Sequence, residues 1–306
     1  MLTSTNFGVM ITPGQRKVFM DEVGKNPPQY SQIFRETGTN SPVYRGAHIG
    51  GFGLWTSTAE GTTIPKEDIK QGNNAELDVQ RFSKGYEISW ELMQDDEQGV
   101  FNGTSGKGGS AKMLAKSLQA TVESKCAQVL STGFGNVGYD ATSLFATNHK
   151  LNKNTNTPPE QSNKLTNTGL TVAGLQEACK MMRAQKDNGG AAPVGAIPAQ
   201  LIIHPDDEFT ARTLLNAGLN LVNGVPQAES TLPNLQVVVL DYLADNKAFF
   251  LRAKDIDNLV LAWREKPIFN SHQIPQTVDW FFYGYARFAV GYEEWRGLVG
   301  VQKPTS

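Results

Sequence analysis

Two glycine-rich segments are the first candidates for chemistry, because glycine loops can hold the phosphates of a nucleotide. Residues 133–138 read GFGNVG and match the pattern G-x-G-x-x-G. That fingerprint follows a β-strand and opens a helix, whereas here it follows a helical pattern. Gly103–Gly109 lacks phosphate-loop spacing, since Lys107 is followed by Gly108 and not by Ser or Thr. A nucleotide-binding enzyme using Gly133–Gly138 stays open as an alternative, although a helix end and a turn explain these glycines.

Histidine, cysteine and acidic residues show no spacing typical of a metal site or a nucleophile. Zinc motifs place their ligands in pairs a few residues apart. The four histidines are far apart and are expected in turns and at the surface: His48, His149, His204 and His272. Cys126 and Cys179 are expected to be buried thiols, and Asp95–Glu97 reads as a solvated helix end. The sequence therefore predicts no catalytic residue, no metal ligand and no cofactor.

Length and composition predict a sizeable core without a strong overall charge. The chain has 306 residues and a formal net charge of -2. This charge gives no field that would attract nucleic acid or an acidic membrane surface. No apolar run approaches the roughly 20 residues of a membrane span, and the first residues do not resemble a secretory signal. We therefore expect a soluble protein that is made in a cytoplasm.

Ser110–Leu130 has the longest helical pattern in the sequence, and the other elements must be placed around it. Its apolar residues recur at steps of three and four, which predicts one amphipathic helix over residues 110–131. The stripe consists of Ala111, Leu114, Leu118, Val122, Cys126 and Val129. Ser110 is the expected N-cap and Gly133 a left-handed stop. A helix spanning roughly 30 Å must lie along an equally long surface, most naturally a sheet.

Residues 49–90 predict a long β-hairpin. Its flanks carry strand-like apolar residues: Ile49, Phe52, Leu54, Trp55, Leu77, Val79, Phe82, Tyr86, Ile88 and Trp90. The polar stretch between Trp55 and Ala75 far exceeds the usual hairpin loop of about two to five residues. An isolated hairpin is only marginally stable in water. Either the hairpin folds back on its own domain, or a neighbouring molecule covers it.

The other elements form an N-terminal helix, an α+β lobe and a long C-terminal strand. Thr12 and Pro13 predict the start of a helix that ends near Val23. From residue 172 onward, helix, strand, helix and strand patterns follow one another and predict a compact lobe. Thr277–Val301 is the longest strand signal, with Gly284 and Gly291 as expected bend points. The fold class is therefore α+β.

Four stretches, at residues 85–97, 144–150, 201–215 and 287–300, together resemble the major capsid proteins of tailed double-stranded DNA phages, which have the Hong Kong 97-type fold. GYEISWELMQDDE (Gly85–Glu97) is similar to the strand-to-helix passage after the extended loop of Mu-like head subunits. LFATNHK (Leu144–Lys150) resembles their segment after the spine helix. LIIHPDDEFTARTLL (Leu201–Leu215) is similar to the strand and helix of the axial domain. RFAVGYEEWRGLVG (Arg287–Gly300) resembles the C-terminal strand.

The resemblance implies a division of the chain into four parts. These are an N-terminal arm (1–47), an extended loop (48–89), a peripheral domain (90–171 and 258–306, with the spine helix 110–131) and an axial domain (172–257). It implies a structural, non-enzymatic protein that assembles as pentamers and hexamers into an icosahedral shell around double-stranded DNA, without sequence-specific binding. Expected partners are further copies of the chain and scaffolding, portal and decoration proteins, with no membrane. The expected location is the virion, after assembly in the cytoplasm of a bacterial host.

Contacts between subunits are expected at the arm and the extended loop. The candidate interface residues are Tyr30, Phe34, Phe52, Trp55, Glu60, Lys66, Asp68, Lys70, Leu77, Val79 and Phe82. The apolar members of this set have no evident cover within their own subunit. An encapsulin, a cellular compartment with the same fold that encloses enzymes, is the alternative shell protein.

Overall fold

The computed structural model describes residues 5–25, 27–49, 55–66, 71–96, 109–150, 159–187, 193–216, 220–222, 225–227, 232–244 and 247–304. The α-helices within them are α1 (Thr5–Val23), α2 (Trp90–Gln94), α3 (Ser110–Ser131), α4 (Val172–Arg183) and α5 (Glu208–Asn216). Short 3₁₀ turns cover Gln29–Gln32 and Pro205–Asp207.

The strands in the described residues form a four-stranded sheet, a five-stranded sheet and three two-stranded pairs. In chain order they are β1 (Arg35–Gly38), β2 (Val43–Ile49), β3 (Gln71–Asp78), β4 (Gln80–Ile88), β5 (His149–Lys150), β6 (Glu160–Gln161), β7 (Lys164–Leu165), β8 (Pro198–Ile203), β9 (Asn220–Val222), β10 (Val225–Gln227), β11 (Gln236–Val239), β12 (Ala248–Ala253), β13 (Leu259–Gln273), β14 (Trp280–Tyr292) and β15 (Leu298–Gln302).

Helix α3 confirms the predicted spine helix. Its stripe faces the core: Ala111, Leu114, Val122 and Cys126 are buried, and Leu118 and Val129 pack against the buried cluster. The helix ends differ from the prediction, because Gly109 is the N-cap and Gly133 does not adopt a left-handed conformation. A Cβ at Gly133 would lie 2.9 Å from the ring of Phe145. This glycine therefore allows close packing and does not act as a left-handed stop.

The four-stranded sheet has the order β1-β13-β14-β4; the spine helix packs along β14, and α1 packs against β13. Strand β1 runs parallel to β13, while the other pairs are antiparallel. Phe19 of α1 stacks on Phe269 at 5.2 Å, beneath the same face. At Gly284 a Cβ would lie 3.3 Å from Leu114 of α3. Strand β14 thus faces the spine helix, which lies along a sheet as the sequence predicts.

The five-stranded sheet has the order β11-β8-β12-β15-β7 and forms the second core together with α4 and α5. Its central strands are apolar on both faces, and every residue of β12 is buried. The predicted α+β lobe is therefore confirmed. Strands β15 and β7 also belong to this sheet, although the sequence analysis places residues 298–302 and 164–165 in the other domain.

The single long strand predicted over Thr277–Val301 is wrong. Strand β14 ends at Tyr292, β15 begins at Leu298, and each lies in a different sheet. The chain turns between them through Gly297, whose φ of 77° favours glycine. The predicted bend points, Gly284 and Gly291, lie inside β14, and the register shifts of this pairing fall between Trp263 and Ile268 of β13.

The predicted start of the first helix at Thr12 is also wrong. Helix α1 already includes Thr5 and continues through Pro13 to Val23. Proline is tolerated at a first helical position but removes a hydrogen bond from a helix interior. The packing of Phe19, which is fully buried, stabilises the helix in the fold.

Candidate assembly interface

The projecting hairpin is formed by β2 and β3, which pair antiparallel from Val43 opposite Asp78 to Ile49 opposite Gln71. The hairpin that the sequence predicts over residues 49–90 is therefore misplaced. Strand β4 does not belong to it, because β4 pairs with β14 in the four-stranded sheet. Both β3 and β4 have alternating side chains, so their sequence does not show which strand pairs with which partner.

The base of the hairpin packs on its own subunit. Tyr44, Leu77 and Val79 contact the buried cluster of Val260, Ala262 and Ala289. The approach is close, since a Cβ at Gly291 would lie 2.3 Å from a methyl carbon of Leu77. The base of the hairpin is therefore part of the subunit core.

Glu293 connects the hairpin base to the end of β14 through hydrogen bonds to its carboxylate. The Arg35 guanidinium donates to both Glu293 carboxylate oxygens at 2.9 Å, and the Tyr44 hydroxyl donates to the same carboxylate. Burial and the hydrogen bond to Glu293 raise the pKa of Tyr44 to about 12. The phenol therefore stays a donor throughout the neutral range, and it orients the first strand of the hairpin.

The tip of the hairpin, residues 55–66, is exposed along its whole length. Trp55 is 98% exposed and Ile64 is 80% exposed. A local turn orders the segment, because Thr62 donates through its backbone N–H and its hydroxyl to the Ala59 carbonyl, and Gly61 has a φ of 80°. The tip thus presents two large apolar side chains that no described residue of its own subunit covers.

The structure divides the predicted interface residues into three groups. Trp55, Glu60 and Lys66 lie exposed on the tip. Phe52, Asp68 and Lys70 lie outside the described residues. The other five have intrachain cover, contrary to the sequence analysis: Tyr30, Phe34, Leu77, Val79 and Phe82. Phe82, for example, stacks on Phe288 at 4.4 Å.

The arm residues Tyr30 and Phe34 are core residues, with 8% and 4% exposure. Glu123 of the spine helix accepts hydrogen bonds from the backbone N–H groups of Gln29 and Tyr30 at 2.6 and 3.1 Å. Glu123 is itself buried, although it does not belong to the predicted apolar stripe. Burial raises the pKa of this carboxyl, and the two N–H donors partly counteract the shift. This part of the arm is therefore held by its own subunit.

A groove of about 380 Å³ lies between β4 and the first turns of α3, and the sequence analysis did not identify it. Its rim carries Leu92 and Met113, which are 44% and 65% exposed. Lys84 and Glu87 also line it. The available signal was Met113, an apolar residue off the predicted helix stripe. Met113 indicates a groove only once the position of β4 beside α3 is known.

A buried polar network links the segment after the spine helix to the turn between β14 and β15. His149 is fully buried, contrary to its expected place at the surface, and its Nδ1 lies 2.6 Å from Asp140 Oδ2. Its Nε2 lies 3.1 Å from Asn163 Oδ1, and its ring stacks on Trp295 at 4.2 Å. Next to Trp295, the buried Arg296 pairs with Glu294 at 2.9 Å. This network therefore holds together the region where the two sheets meet.

Asp140 should give the subunit an acid-sensitive stability. Burial alone would raise its pKa, but hydrogen bonds from His149 and Thr142 and the charge of His149 together lower it below its usual value. A lowered carboxyl pKa stabilises the fold above the unfolded value of about 3.9, and this stabilisation disappears as pH falls through the folded value. We expect the free energy of unfolding of the unassembled protein to decrease below about pH 5, and to decrease more steeply in the wild type than in Asp140→Asn. The two slopes should differ by up to about 1.4 kcal/mol per pH unit. If denaturant titrations show the same pH dependence of the unfolding free energy for the wild type and Asp140→Asn, this role of Asp140 is contradicted.

The glycine segment Gly133–Gly138 forms a turn after α3. Val137 forms an isolated β-bridge with Ser143, and the Tyr292 hydroxyl occupies the position that a Cβ of Gly138 would take. No helix begins at this segment. Cys126 and Cys179 are buried thiols, as predicted. Within the described residues, His, Cys, Asp and Glu form no group suited to a metal ion. The same part of the chain includes no helix with the length and apolar character of a membrane crossing.

The described residues thus combine two larger sheets, a spine helix and a hairpin whose polar tip exposes Trp55 and Ile64. The chain belongs to the phage capsid protein family, whose model matches residues 74–301. It is accordingly a structural protein of the capsid shell, its copies assemble with one another, and its place is the virion. Among curated proteins, no sequence matches it.

Solved particles have the same fold at low sequence identity. The bacteriophage JBD30 procapsid matches with 14% identity and a TM-score of 0.54, over 100% of this chain and 77% of that chain. The capsid of a native GTA particle matches with 10% identity and a TM-score of 0.56, over 90% of each chain. A virus-like particle from Pyrococcus furiosus matches with 12% identity and a TM-score of 0.54, over 95% of this chain and 99% of that chain. The predicted Hong Kong 97-type fold is confirmed.

Proposed function

We propose that the hairpin tip joins each subunit to its neighbour and so builds the shell. The supporting observation is the contrast along one hairpin: its base is packed on its own subunit, whereas Trp55 and Ile64 at the tip are 98% and 80% exposed. A contact between two different surfaces of identical subunits repeats around a rotation axis and closes into rings. Pentamers and hexamers of such rings form an icosahedral shell.

The shell encloses double-stranded DNA without reading its sequence. The net charge of -2 supports this function, because tight binding of DNA needs clustered positive charge. Scaffolding, portal and decoration proteins are the further partners of the shell, which assembles in the cytoplasm of a bacterial host. The Mu-like head subunit is the proposed relative within the family, and the protein carries out no catalysis.

An encapsulin-type compartment is the second candidate. The fold shared with the Pyrococcus furiosus particle is compatible with it, but the family model over residues 74–301 favours the phage capsid. The genes beside the coding sequence discriminate between the two. Terminase and portal genes would support the capsid, and a gene for a cargo enzyme would support the compartment.

Replacing both apolar tip residues, Trp55→Ser with Ile64→Ser, should leave a folded subunit that forms few shells. Both side chains are exposed in the subunit, so its melting temperature should stay within about 2 °C of the wild type. Apolar anchors at the centre of an interface contribute about 2 kcal/mol or more each, so the affinity of each contact should fall about thirtyfold for one residue and about 800-fold when both losses add. Sedimentation and negative-stain microscopy measure the assembled fraction.

The matched control changes two exposed polar residues of the same tip, Thr58→Ser with Thr63→Ser, and should assemble like the wild type. Normal shells from the Trp55→Ser, Ile64→Ser variant would show that the tip is not the joining element. Loss of folding in that variant would place the tip in the subunit core.

A further inference from the structure

The face of the four-stranded sheet that points away from the spine helix is covered at one end and open at the other. The hairpin base packs on it around Ala289. Beyond that contact, Phe281, Tyr283 and Tyr285 occupy alternate positions of β14, so their side chains share this face. The residues beside them on β4 and β13 are exposed: Arg81, Ser83, Gly85, Glu87, Asn270 and His272. Within the described residues, this end of the sheet is therefore an open row of aromatic rings.

The rings of Phe281, Tyr283 and Tyr285 form an aromatic platform, and the neighbouring strand leaves room for it. The centroids of Phe281 and Tyr283 lie 5.7 Å apart, with an interplanar angle of 21°. The Phe281 ring lies over Gly85 of β4, where a Cβ would come within 2.6 Å of a ring carbon. The guanidinium of Arg81 lies 5.1 Å from the Tyr285 centroid. A larger residue at position 85 would displace the Phe281 ring, so glycine in this strand permits the platform.

The charges around the platform are balanced, which favours a neutral ligand. Arg81 and Arg287 lie opposite each other in the pairing of β4 with β14. Glu265 lies opposite Arg287 on β13, and Glu87 lies opposite Phe281 on β4. A single-stranded nucleic acid also stacks on aromatic side chains, but it needs a positively charged groove along its backbone. Two acidic groups beside two basic groups do not provide such a groove.

We propose that the aromatic platform binds a neutral oligosaccharide. The C–H groups on the flat side of a sugar ring pack on the negative face of an aromatic ring. Asn270 and His272 lie opposite Tyr283 and Phe281, and their amide and imidazole groups can donate to sugar hydroxyls and accept from them. The platform follows one strand over roughly 14 Å, so an extended chain of several hexoses can contact all three rings. This site does not depend on the proposed joining role of the hairpin.

Isothermal titration calorimetry with cellohexaose, a straight neutral hexose chain, tests the proposal on the unassembled full-length subunit. Tyr283→Thr removes the central ring but keeps a residue suited to a strand. It should weaken binding by about fivefold, the effect of one lost aromatic contact. Tyr283→Phe keeps the ring and should bind like the wild type. The matched control is Tyr242→Thr, which removes a tyrosine that is exposed outside the platform and should leave binding unchanged.

A second variant keeps the test valid if Tyr283→Thr proves unstable. Ser83 is exposed opposite Tyr285, so Ser83→Lys should leave the fold intact, as thermal melting verifies. Its long side chain can lie over the Tyr285 ring and should also weaken binding of cellohexaose. Wild-type binding should not change with salt concentration, because a neutral ligand releases no counterions.

Three results would overturn the proposal. The first is the absence of binding to the wild-type subunit at millimolar cellohexaose. The second is tighter, salt-dependent binding of a single-stranded oligonucleotide, which would make the platform a nucleic-acid site. The third is binding by free subunits but not by assembled shells, because neighbouring copies would then cover the platform.

Discussion

Val122→Asp should prevent stable folding of the subunit. Val122 lies in the middle of the spine helix, is 3% exposed, and belongs to the core cluster beneath the long strands. A carboxylate there lies among the apolar side chains of this cluster, and burying it costs several kcal/mol even after its pKa shifts. Because a domain is typically stable by only about 5–15 kcal/mol, we expect insoluble protein or a greatly lowered melting temperature.

Ser124→Asp is the matched control, since it introduces the same residue into the same helix at an exposed position. It should change the free energy of unfolding by less than about 1 kcal/mol, mainly through helix propensity. Circular dichroism and thermal melting of both variants measure the difference. A normally folded Val122→Asp subunit would mean that this side of α3 is not the buried one.

The spine helix could be predicted from the sequence because its signal is local and repeated. Apolar residues from Ala111 to Val129 mark one face over many turns, and the packing of that face is what stabilises the helix. The same reasoning identified α4, α5 and the strands β8 and β11 of the five-stranded sheet. In each case the pattern inside one element was sufficient.

The errors concern contacts between distant parts of the chain. The hydrophobic alternation continues from β14 towards β15, and only tertiary structure shows that the chain turns at Gly297 and enters another sheet. Glu123 looks like a surface residue by its type, but it binds the backbone of Gln29 and Tyr30. His149 likewise becomes a core residue only because Asp140, Asn163 and Trp295 surround it.

The candidate interface could be predicted in part. The excess length and polarity of the hairpin indicated a projecting element, and Trp55, Glu60 and Lys66 are exposed on it. The neighbouring Leu77 and Val79 are equally apolar in sequence, yet they pack on the cluster of Val260, Ala262 and Ala289. Because both kinds of side chain are apolar, composition does not distinguish a side chain that its own subunit covers from one that a neighbouring subunit would cover.

His149→Ala should cost the subunit about 3–5 kcal/mol of unfolding free energy, because it leaves Asp140 as a buried charge without its partner. It also removes the hydrogen bond to Asn163 Oδ1 and the ring that stacks on Trp295. The loss should loosen the turn between β14 and β15, and with it the connection between the two sheets. Denaturant unfolding of unassembled protein measures this cost. His272→Ala, at an exposed position on β13, is the matched control and should change stability by less than about 0.5 kcal/mol.

A double-mutant cycle distinguishes the loss of the ion pair from the loss of packing. Asp140→Ala removes the charge that His149→Ala would leave unpaired, so the double variant should lose clearly less than the sum of the two single losses. The expected difference is about 0.5–3 kcal/mol, the range measured for coupled neighbours. Additive losses would mean that the two residues act independently and that the imidazole contributes only by filling space against Trp295. In that case His149→Phe, which keeps a ring beside Trp295, should recover most of the stability, whereas a coupled pair predicts little recovery because Asp140 stays buried and unpaired.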